Sequence, residues 1–170
     1  MDDWLDILLS GRPGAGTVLR EIDYDRYAAA EAVLGWLNAA VKLTAPDTIE
    51  PVILLTGLLK NLQITFKEKN AGIGHLKCAL TSGGKTIWGN LTGIDAEPSL
   101  SEKTLGKINS GTLLVNARVK LEPEELEPIV RDTLKLLSKT FGIETDIIDL
   151  QCFSPAYPTP PYLMREGMDS

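Results

Sequence analysis

The chain has 170 residues, 44% of them hydrophobic and 24% charged, with two cysteines. These values fit one ordinary globular core and exclude a disordered chain, a collagen-like repeat and a disulfide-dense scaffold. The 17 basic and 23 acidic side chains give a formal charge of −6, which removes any general attraction to phosphate backbones or anionic lipid and sets nucleic acid aside as a partner.

The first eighteen residues read as a short amphipathic helix, DDWLDILLSG, followed by a Gly/Pro linker. The start is acidic where a secretory leader needs a basic one, and Cys78 and Cys152 form no CxxC pair, so a cytoplasmic location is expected. Residues 11–18, GRPGAGTV, imitate a phosphate-binding loop but carry Thr17 where that loop needs its lysine. Without that charge the β and γ phosphates lose their main contact, so the segment reads as linker.

From about residue 19 to 153 the pattern predicts one α+β domain. Asp23 or Asp25 caps a small alanine-rich helix that exits at Gly35. WLNAAVKLTA, from Trp36, then alternates as a strand. Asp47 and Glu50 have the spacing of a capping box before Pro51, and a long helix follows with Val52, Leu55, Leu58, Leu59 and Leu62 on one stripe, ended by Asn70 and Gly72. Residues 73–81 and 86–92 flank SGGK and pair as a hairpin. Within the helix, VILLTGLL at 52–59 is far too short to span a bilayer and belongs to a core, so no membrane association is expected.

Residues 93–108 read as a loop, and TLLVNARVKL as the next strand. Pro123 opens a second long helix to about Phe141, with Leu126, Ile129 or Val130, Leu134, Leu137 and Phe141 inward and Gly142 as the exit. Pro128 implies a short first turn before the regular helix begins. ETDIIDLQCF makes the last strand, and residues 154–170 form a proline-rich arm. The expected architecture is therefore four to five mostly antiparallel strands with two long helices on one face, a split βαβ or ferredoxin-like arrangement, plus the N-terminal helical segment.

Two helices on one face leave the other face open. Taking the more apolar set of each strand as buried places Ile148, Leu150 and Cys152 inward in the last strand. The complementary set collects Trp36, Asn38, His75, Lys77, Trp88, Asn90, Asn116, Arg118, Asp149 and Gln151 on the open face. Asparagine is a poor strand former, so three of them on one face call for a reason beyond propensity. These ten residues are the candidate face for a ligand or a partner. His75 is the only histidine, no GxSxG elbow exists, and Glu124 with Glu125 suit a helix start, so no catalytic residues are assigned. No cysteine or carboxylate stands at ligand spacing around His75, and no metal site is assigned either.

The stretches IDYDRYAAAEAVLGWLNAAV, IGHLKCAL, NARVKLEPEELEPIVRDTL and CFSPAYPTPP, in this order, resemble the C-terminal domain of CobW-type proteins, a group associated with cobalamin synthesis and metal delivery. The resemblance covers residues 19–161. His75, Lys77, Asn38 and Asn116 fall on its motif positions. It implies a domain whose sheet meets partners, and in the family that domain follows a P-loop GTPase domain. The 170 residues contain no such GTPase domain and none of its cysteine motif, so GTP hydrolysis and metal loading are not implied. What the resemblance implies is a stand-alone, non-enzymatic accessory module that meets a separate GTPase, a metalloprotein or a second copy of itself. The alternative is a protein that binds a small ligand or a metal, as an enzyme or otherwise, on the polar open face; the cofactor is not specified.

Overall fold

The computed structural model describes residues 34–101 and 105–155. Its elements are β1 (Gly35–Ile49), α1 (Pro51–Glu68), β2 (Ile73–Ser82), β3 (Lys85–Leu91), β4 (Ser99–Leu100), β5 (Ile108–Val119), α2 (Pro123–Phe141) and β6 (Glu144–Phe153). The expected N-terminal helix and linker, the alanine-rich helix before Leu34 and the arm beyond Pro155 lie outside the described residues.

The six strands form one antiparallel sheet in the order β4-β3-β2-β5-β1-β6. β1 and β2, joined through α1, both run antiparallel to β5, which lies between them. β5 and β6, joined through α2, enclose β1 in the same manner. Both helices cover the same face. Leu54, Leu58, Leu62 and Phe66 of α1 and Leu126, Val130 and Leu134 of α2 share one core with Leu37, Val41, Leu76, Leu80, Leu113 and Val115. Each strand contributes every second residue to that core, as a pleated sheet covered on one side requires.

Several local expectations are corrected. Among the described residues there are six strands, not four or five: β4 adds a two-residue edge to β3 within the stretch read as a loop, too short for alternation to show. β1 continues to Ile49, which places Asp47 in the strand, and no side chain caps α1 at Glu50. Pro51 in the first turn makes a cap less necessary, because its missing N–H is one of the donors a helix start leaves unpaired. Gly35 is no helix exit but the first residue of β1. A Cβ there would stand 2.4 Å from the Leu121 carbonyl oxygen, so the close approach of two backbones demands glycine.

In α1 the stripe is shifted. Val52 is exposed, and Leu54 and Phe66 are buried instead. The helix stops where Asn70 takes a positive φ of 52°, as its composition suggested. Pro128 does not delay α2, which runs unbroken from Pro123. It is exposed near the N-terminal end of the helix. Gly142 closes α2 with φ 62°, and the Ser138 hydroxyl donates to the Ile143 carbonyl at 2.5 Å.

The last correction bears on the open face. Ala40 pairs with Asp149 while Val41 pairs with Ile147, so Ile148 is the extra residue of a β-bulge. Ile147, not Ile148, packs against the core, and Ile148 is 61% exposed.

Candidate functional site

The uncovered side of the sheet is built row by row from strand register. One row reads Phe153, Trp36, Arg118, His75 across β6, β1, β5 and β2. The next reads Gln151, Asn38, Asn116, Lys77, Asn90, now reaching β3. The third reads Asp149, Ala40, Leu114, Ala79, Trp88. All ten side chains selected from the sequence therefore occupy one face in three successive rows.

Within the first row the Arg118 guanidinium lies over the Trp36 ring, 3.7 Å from its centroid, and Trp36 meets Phe153 at 6.0 Å with the rings tilted by 45°. A guanidinium at this distance is drawn to the negative face of the indole. Trp36 is thereby engaged by its own sheet, on both sides.

A directed hydrogen-bond chain joins the first row to the second. Asn116 Nδ2 donates to Asn38 Oδ1, which leaves Asn116 Oδ1 as the acceptor facing His75. His75 Nε2 donates to it at 2.5 Å. The chain starts on β2, crosses β5 and ends on β1, with Asn38 Nδ2 left over as a donor at its far end. Asn38 and Asn116, two of the three asparagines of this face, are accounted for by this ladder, and Asn90 stands outside it.

Beside it the third row sinks. Ala40 and Ala79 are short, and Leu114 stands between them, so the sheet carries a groove of about 620 Å³. Its sides hold Asn38, Asn116, Lys77, Asn90, Trp88 and Asp149. Trp36, His75, Arg118 and Gln151 belong to the same face but do not line the groove. Leu114 is 50% exposed and Trp88 45% exposed, an apolar pair in a setting otherwise made of amides and single charges. The ten residues picked for polarity omitted Ala40, Ala79 and Leu114. The signal was there: a leucine in the polar register of β5, flanked across the sheet by two alanines.

Beneath the groove Cys78 faces the core, and burial pushes its thiol far above the usual range. Cys152, on β6, is pushed up to about 11 by burial and by the nearby carboxylates of Glu127 and Glu124. Neither thiol is activated. Among the described residues no three His, Cys, Asp or Glu side chains gather as metal ligands, and no helix is long and apolar enough to cross a membrane. Comparison with protein-family models, with curated proteins and with solved structures finds no match for this chain.

Proposed function

We propose that this chain is a non-catalytic accessory module that binds a protein on the open face of its sheet. The observation that carries the reading is the exposed Leu114 on the central strand β5, set between Ala40 and Ala79 and ringed by asparagines and Lys77. An apolar centre with a polar rim is the usual composition of a protein-binding patch. The two enclosed strand pairs, giving the order β6-β1-β5-β2, support a ferredoxin-like unit to which β3 and β4 are added at one edge. The same reading keeps the kinship to CobW-type proteins, a cytoplasmic setting, and a GTPase, a metalloprotein or a copy of the chain as partner. Nucleic acid is not among the partners proposed, given the charge of −6.

Photo-crosslinking inside cells tests it. A photoreactive residue at position 114 should give a discrete adduct, whereas one at Ile64, exposed on α1, should give none. No adduct from position 114, or equal adducts from both, overturns the reading.

A second reading rests on the groove, whose volume of about 620 Å³ suits a small molecule stacked on Trp88 with its polar edge toward Lys77 and Asn90. Such a ligand would raise the melting temperature of the chain and lose that effect with Trp88→Ala.

A further inference from the structure

We propose that the protein bound by the open face is a second copy of this chain, packed face to face about a two-fold axis that runs along the strands between β5 and β1. This inference rests on the open-face reading above and names its partner. The two-fold operation places each strand opposite its mirror position in the sheet order, so β5 faces the copy's β1 and β2 faces the copy's β6. Row by row, the side chains then complement one another.

Leu114 of β5 meets the copy's Ala40 of β1, a knob over a hollow, and the contact occurs twice. Asn116 meets the copy's Asn38, which keeps Nδ2 as a spare donor after accepting from its own Asn116. Lys77 of β2 comes opposite β6, within one row of the copy's Asp149, a step that a lysine side chain spans. None of the described ion pairs includes Lys77 or Asp149, so each is available to the other. Trp88, one strand further out, overhangs the edge of the copy's β6 beside Ile148, and both are exposed in the single chain.

The alternative two-fold, perpendicular to the strands, sets β2 against β2 and brings Lys77 toward its own copy. Charge therefore selects the axis along the strands.

Sedimentation of the full chain across a concentration series reads the outcome. A particle of twice 18.5 kDa is expected. Lys77→Glu and Asp149→Lys should each raise the dimer Kd about tenfold, and the double variant should return it to within about threefold of the parent. Circular dichroism checks that each variant is folded. A chain that stays monomeric up to about 200 µM, or a dimer that the single charge reversals leave unchanged, overturns the proposal. The crosslink from position 114 separates the two levels. An adduct with a different protein, together with a monomeric chain, sinks the two-fold dimer and leaves open-face binding standing, whereas no adduct at all removes both.

Discussion

Cys78 and Cys152 occupy alternate sites of two strands on the helix-covered side, and their environments set their chemistry. Cys78 lies wholly within the core, and the Cys152 thiol packs 3.6 Å from the Pro123 carbonyl oxygen. Burial raises both, with Glu127 and Glu124 adding to the effect at Cys152. Because the folded chain holds these protons more tightly than the unfolded chain, the linked stability is intact at neutral pH. It falls as pH climbs from the ordinary thiol range toward about 11. At pH 8, iodoacetamide should alkylate neither thiol at the rate of a model peptide, and denaturant should restore full reactivity at both. Mass spectrometry of the alkylated chain checks this, and a fast-reacting Cys152 would contradict the environment described. The sequence showed both cysteines inward through alternation alone, but their inertness depends on which helix lies above them, a long-range fact that alternation does not encode.

At the level of elements, legibility followed the length of the signal. α1, α2, β2 and β3 were readable because each carries at least seven residues of steady period, and the Gly83-Gly84 turn, with φ of 55° and 74°, was readable from its composition. β4 and the bulge at Ile148 were not, since one is two residues long and the other a single insertion in a strand whose two central isoleucines are chemically alike. Hence the face assignment held for Asp149 and Gln151 and failed at Ile148. Pro128 is the local conflict that the element tolerates. It removes the N–H that would reach the Glu124 carbonyl, and the rest of α2 proceeds on Leu126, Val130, Leu134 and Leu137. Pro128→Ala should therefore raise unfolding stability by about 1–3 kcal/mol, read as a higher urea midpoint at unchanged slope. A lower midpoint would mean that the proline ring packs usefully.

For the whole molecule, strand order mattered most and was the least accessible property. Alternation named the strands and their inward sides, yet nothing local reveals that β5 enters between β1 and β2, pairing with β1 across 59 to 84 positions of chain and with β2 across 31 to 46. That insertion leaves β5 bonded on both sides and lined by Leu113, Val115, Ala117 and Val119 in the core. Amide exchange should be slowest in β5 and the first half of β1 and faster in β6 and β4, which are paired on one side only. Exchange of β6 as slow as that of β5 would show that its outer edge is covered. The Gly83-Gly84 turn has a consequence of another kind. A side chain built at either position meets no atom within 4 Å, and the turn projects from the sheet end rather than from either face. It is therefore the natural attachment point for a reporter or new chain termini, a handle through which the molecule can be watched while the helix layer and the groove stay untouched.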